Sequence, residues 1–173
     1  MKTLTRIAGV LFPVFAMGIA TSLAAAEPSS AQAARRPRLA CGALVGREFY
    51  NVTVTAAADV PASGAMPAYC KVSGHEAGTD HDLEVRLPAS WRGSYVQRGG
   101  GGFDGRIAPP ASAPAALQLG AVQGANNGGH RDPSGAALLN DPRATERYAH
   151  VAILTATRFG KAVTQAYYGA APA

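Results

Sequence analysis

Apolar and polar residues alternate with a period of two over Phe49–Thr55 and Leu83–Pro88 in the first half of the chain, and Ala68–Gly74 between them reads as a further strand. Alternation of this kind, enriched in β-branched residues and punctuated by Pro61, Gly64 and Pro67, predicts strands. A shorter run, Tyr95-Val96, ends in four consecutive glycines, Gly99–Gly102. Further on, Leu117–Gly120 closes a short helix by pattern, and Ala121-Val122-Gln123 begins a strand that ends in the turn-rich loop 124–130. The period then changes. Tyr148, Val151, Ala152, Phe159, Val163 and Ala166 recur at helical spacing and predict one long helix with a single apolar face. Asp141 is its N-cap, Pro142 its first residue, and Gly169 with Pro172 its stop. Gly160 inside that helix costs about 1 kcal/mol relative to alanine, so close packing is expected there. Strands in succession, then strand, loop and long helix, predict an α/β fold with an antiparallel or mixed β start.

The glycine run changes the picture from architecture to chemistry. Four glycines are entropically costly and leave no side chains to pack. Bare N–H groups at the end of a strand suit an anion, either a phosphate or the oxyanion of an ester-cleaving transition state. The phosphate reading lacks support elsewhere in the chain. No Gly-Lys-Ser/Thr follows the glycines, and no acidic residue sits at dinucleotide spacing in a βαβ unit.

Lys2 and Arg6 precede an apolar run from Ile7 to Ala20, and Ala24-Ala25-Ala26 supplies small residues before Glu27. This layout predicts a signal peptide over 1–26 and an exported, secreted or periplasmic, product. Pro13 and Gly18 interrupt the run and argue against a membrane anchor. Residues 27–39 read as a flexible arm. Its Arg35-Arg36-Pro37-Arg38 cluster is expected to be solvated, with no nucleic-acid partner and no membrane partner after cleavage. The formal charge is +5, of which Lys2 and Arg6 supply two. About 135 residues remain, enough for one core or part of a larger one. Cys41 and Cys70 are the only cysteines and are expected to pair in an oxidising compartment. In the chain-entropy picture that bond adds about 3.5 kcal/mol and ties the first two strands.

At Pro67–Gly74, Leu87-Pro88, Trp91-Arg92-Gly93, Val96–Gly105, Gly128-Gly129-His130, Asp141–Ala144, and Lys161-Ala162-Val163 followed by Tyr167-Tyr168-Gly169, the chain resembles the tannase/feruloyl esterase family. The resemblance covers essentially all of 40–170. It implies part of an α/β-hydrolase fold and serine-dependent hydrolysis of carboxylic esters, with phenolic-acid esters as small-molecule partners. It also implies that Gly99–Gly102 is the oxyanion loop, with donors among Gly100, Gly101 and Gly102. Family members continue into a Cys-Ser-x-Gly-Gly nucleophile elbow. No such pattern occurs here, and Ser73, Ser90, Ser94, Ser112 and Ser134 lie in loops or before the glycines. The nucleophile, the catalytic Asp and His, and the lid with the calcium site of some members are expected downstream. The chain is then the front of an esterase, inactive and marginally stable alone. It carries no cofactor or metal of its own.

The remaining candidates weigh toward structural roles. His130, after a Gly-Gly turn, is a substrate-lining candidate set against a loop histidine. His75 and His81, bracketing Glu76, Asp80 and Asp82, are a solvated turn before they are a metal site. His150 is an ordinary helical histidine. Asp104 buttresses the glycine loop by accepting N–H bonds. Asn126 and Asn127 shape a turn, and Trp91 anchors packing. The sequon Asn51-Val52-Thr53 falls in a predicted strand and carries little weight. A secreted non-catalytic binding domain, or a decayed esterase remnant, is the alternative function.

Overall fold

The computed structural model describes residues 33–173; the expected signal peptide over 1–26 lies outside the described residues. A short 3-10 turn, Cys41–Leu44, leads into β1 (Glu48–Phe49), β2 (Val52–Val60), β3 (Tyr69–Glu76), β4 (Asp82–Pro88) and β5 (Tyr95–Gln97). A short helix α1 (Ala115–Gln118) precedes β6 (Val122–Asn126). Then come α2 (Ala136–Asn140), α3 (Pro142–Glu146), one π turn (Arg147–Val151) and α4 (Ala152–Tyr168).

The six strands form one sheet in the order β1-β2-β3-β4-β6-β5. Pairing is antiparallel from β1 to β4 and between β4 and β6; β5 and β6 run parallel. The strand expected over Phe49–Thr55 is instead a hairpin. Tyr50 and Asn51 turn the chain with φ of 53° and 65°, and Phe49 pairs with Val52. Both turn residues need a positive φ, which usually calls for Gly, and no Gly marks the place in sequence. Asn51 of the sequon is therefore an exposed turn residue, not a strand residue. The Cys41–Cys70 disulfide forms. It ties the 3-10 turn to β3 rather than joining the first two strands, because Cys41 lies ahead of β1.

The long helix begins and ends where the sequence predicts. The Asp141 carboxylate accepts the Arg143 N–H at 2.9 Å, and Gly169 closes the helix with φ of 69°. Its interior differs, because the π turn inserts a wider coil between α3 and α4. Phe159, Val163, Tyr167 and Tyr168 of α4 pack with Val52, Val54, Val72, Leu83, Val85, Leu87 and Val122 of the sheet. Gly160 is closely packed, as expected. A Cβ there would lie 2.0 Å from the Tyr95 hydroxyl oxygen.

The basic arm is held at two points where it is described. Arg35 and Trp91 exchange backbone hydrogen bonds at 2.7 and 2.9 Å, and the Arg38 N–H donates to the Tyr167 carbonyl at 2.8 Å.

Candidate active site

Because β5 and β6 are parallel neighbours, their carboxyl ends emerge side by side. The chain skips a position on leaving β4, forms β5, and returns to insert β6 between them. A crevice at such a reversal is where α/β sheets place ligands. The glycine loop follows β5 and the loop 127–131 follows β6. The two are stitched together: the Arg98 N–H donates to the Gly124 carbonyl at 2.8 Å, and the Gly105 N–H to the Asn127 carbonyl at 3.0 Å.

Within the glycine loop the Asp104 N–H donates to the Gly101 carbonyl at 3.2 Å, and the Asp104 carboxylate folds back to accept the Gly100 N–H at 3.2 Å. A Cβ on Gly100 would sit 1.5 Å from Asp104 Oδ1, so this carboxylate is what requires glycine there. Burial pushes the Asp104 carboxyl up from its ordinary range; the Gly100 N–H and the nearby His130 pull it back. From the other side the Tyr148 hydroxyl, on the π turn, donates to the Gly102 carbonyl at 2.6 Å. Sequence periodicity assigns Tyr148 only to an apolar helix face; its reach to the loop depends on the π turn, which periodicity does not reveal. Two clefts flank the loop. One of about 300 Å³ is lined by Gly99, Gly100, Asp104, Gly128 and Tyr148, and one of about 470 Å³ by Gly100–Gly102, Phe103 and Arg106.

His130 lies at the same end of the sheet but borders neither cleft. It is buried, its ring stands edge-on to Tyr148 at 5.6 Å, and its Nδ1 accepts the Asp132 N–H at 3.3 Å. Its Nε2 has no partner among the described residues. Asn126 Oδ1 accepts the Gly128 N–H and Asn127 Oδ1 the Gly129 N–H, so both asparagines do shape this turn. Among the described residues no serine hydroxyl hydrogen-bonds a histidine; Ser134 bonds Asp132, and Ser112 bonds the Pro109 carbonyl and Arg98.

The histidine–carboxylate cluster is divided between two arginines. Arg131 holds Asp82 at 2.8 Å and Asp80 at 3.3 Å, and Asp82 also meets His75 at 2.9 Å. Arg147 holds Glu76 at 2.9 Å, and Glu76 meets His81 Nδ1 at 2.8 Å. The Asp80, Asp82 and Glu76 carboxylates are thus all paired with guanidinium groups. Burial holds the His81 imidazole below its ordinary 6.5, against the pull of Glu76. The unfolded chain therefore takes up a proton at higher pH than the folded one. This contribution to stability is complete above the unfolded value and falls as pH drops through it, until the folded value is reached. Unfolding free energies from urea titrations between pH 7.5 and 5 should decline by up to about 1.4 kcal/mol per pH unit. His81→Gln should flatten that slope; an unchanged slope would mean another group carries it.

An inserted parallel strand, a glycine loop at its neighbour's carboxyl end and a long covering helix define part of an α/β-hydrolase fold. Solved structures agree. An esterase from Aspergillus oryzae superposes with a TM-score of 0.63 at 22% identity, over 75% of this chain and 31% of that one. Feruloyl esterase B from Aspergillus oryzae superposes at 0.62 and 20% identity, over 71% and 28%. The probable feruloyl esterase B-1 of Aspergillus fumigatus is 31% identical over 103 residues, 58% of this chain and 19% of that protein. The Tannase model, tannase and feruloyl esterase, matches residues 70–173, and the chain belongs to that family. It spans about a fifth of the length of the curated relative named here.

Proposed function

We propose that this chain forms the glycine-loop side of the active site in a secreted carboxylic ester hydrolase that acts on small phenolic-acid esters. The observation that carries the reading is the glycine loop at the carboxyl end of β5, beside the carboxyl end of its parallel neighbour β6. Attack on an ester carbonyl moves charge onto its oxygen, and N–H donors fixed beforehand stabilise it; one such donor contributes about 3 kcal/mol. Gly100, Gly101 and Gly102 are the candidate donors in this reading, with the Gly100 N–H engaged by the Asp104 carboxylate in this structure. The nucleophile and its base come from elsewhere, since no described serine bonds a histidine. Export rests on the apolar run after Lys2 and Arg6. No helix among the described residues is long and apolar enough to cross a membrane.

The test uses methyl ferulate and methyl gallate. The 173-residue chain alone should hydrolyse neither faster than buffer. Joined to the nucleophile-bearing region of a family enzyme, it should hydrolyse at least one. The absence of a serine–histidine bond favours a second reading, a secreted binding module. Saturable ester binding by the chain alone, with no turnover in the joined protein, would replace the first reading with the second.

A further inference from the structure

Of the three glycine donors, one is taken by a group the chain supplies itself. The Asp104 carboxylate accepts the Gly100 N–H through Oδ2 at 3.2 Å, and its buried Oδ1 has no hydrogen-bond partner among the described residues. The carboxylate lies where a side chain on Gly100 would go, and its stem packs against Gly128, where a Cβ would lie 3.0 Å from that of Asp104. Asp104 itself has a positive φ of 55°, a conformation that non-glycine residues adopt at some cost. The next peptide faces the other way. The Gly101 carbonyl is turned toward the Asp104 N–H, and a planar trans peptide then sends the Gly102 N–H in the opposite direction. The Tyr148 hydroxyl fixes the following peptide through the Gly102 carbonyl.

We propose that Asp104 is a positioning residue whose carboxylate is the resident anion of the glycine loop, holding Gly100 and leaving the Gly102 N–H as the donor presented to an incoming oxyanion. The second half rests on the esterase reading; the first does not. A charge-assisted bond to a backbone N–H is stronger than a neutral one, so the carboxylate sets the loop before any ligand arrives.

The test follows the glycine amide resonances of the full ¹⁵N-labelled chain. In the wild type the Gly100 amide should move as Asp104 titrates, with a midpoint above the ordinary aspartate range. In Asp104→Asn the loop resonances should stay near their places, because the amide oxygen still accepts from Gly100, but the Gly100 inflection should vanish. In Asp104→Ala the Gly100 amide should respond saturably to added methylphosphonate, which in the wild type should move Gly102 and leave Gly100 still. His130 and Tyr148 are the other titratable groups packed here. A Gly100 inflection that survives in Asp104→Asn belongs to one of them and overturns the proposal, as does a Gly100 amide that never titrates. If Gly100 behaves as stated but methylphosphonate moves no wild-type amide, the esterase reading fails while the carboxylate's position stands.

Discussion

Replacing Trp91 with alanine should destabilise the chain by about 3–5 kcal/mol, the range for deleting a buried aromatic side chain. Trp91 is fully buried and stacks on Tyr168 with ring centroids 4.6 Å apart, 24° from parallel. Its Nε1–H donates to the Ser94 carbonyl at 2.8 Å, and its backbone pairs with Arg35. Tyr168 in turn donates its hydroxyl to the Pro88 carbonyl at 2.5 Å. One ring thus joins the arm, the β4–β5 connection and the end of α4. The measurement is a urea midpoint with the slope unchanged. Trp91→Phe keeps most of the burial and loses the Ser94 bond, so it should cost roughly 1–2 kcal/mol. A Trp91→Ala cost below that of Trp91→Phe would show that the ring is not what joins these elements.

The sequence announces these contacts unevenly, and the reason differs by element. Asp141-Pro142 states its role outright, because N-capping is local chemistry between a side chain and an N–H two residues on. Gly160 states that something approaches closely but not what; the partner, Tyr95, is fixed only by the sheet order. Strand order itself is invisible to periodicity. The insertion of β6 between β4 and β5 leaves no mark in the alternation. The Tyr50-Asn51 turn escapes because neither residue is Gly, and the strain is absorbed by pairing on both sides. The π turn escapes because the apolar residues on either side still recur near helical spacing.

At the site, the glycine run is legible because four glycines have no packing use. Asp104 is legible as a buttress from its place just after them. What sequence does not show is that its carboxylate engages Gly100 in particular, which depends on the positive φ of Gly102 and Asp104, 61° and 55°. His130, a substrate-lining candidate set against a loop histidine, stands buried edge-on to Tyr148 and borders a cleft it shares with Asp80, Arg143 and Arg147.

Arg86 shows most clearly what alternation conceals, and its loss should be as damaging as that of Trp91. On β4 it falls on the face opposite Leu83, Val85 and Leu87, where period-two reading places a solvated charge. It is instead fully buried. Its Nε donates to Glu84, Nη1 to Gln123 Oε1 at 2.6 Å, and Nη2 to the Ala108 carbonyl at 2.7 Å. Gln123 passes the connection on to the Ala113 carbonyl at 2.8 Å. The Arg86 guanidinium thus ties the segment that returns from the glycine loop to β6 down at Ala108 and, through Gln123, at Ala113. Arg86→Met keeps the volume but strands the Glu84 carboxylate, whose side chain is only 14% exposed, along with two acceptors. Removing one partner of a buried pair costs about 3–5 kcal/mol, much of it the uncompensated charge left behind. The double variant Glu84→Leu/Arg86→Met should recover a large part of that loss in urea, since apolar replacement of both partners is often neutral. Limited proteolysis should cut within 106–114 in Arg86→Met well before it does so in the wild type. If the double variant is as unstable as the single, the loss lies in the Gln123 and Ala108 bonds, and Glu84 is adequately hydrated without its partner.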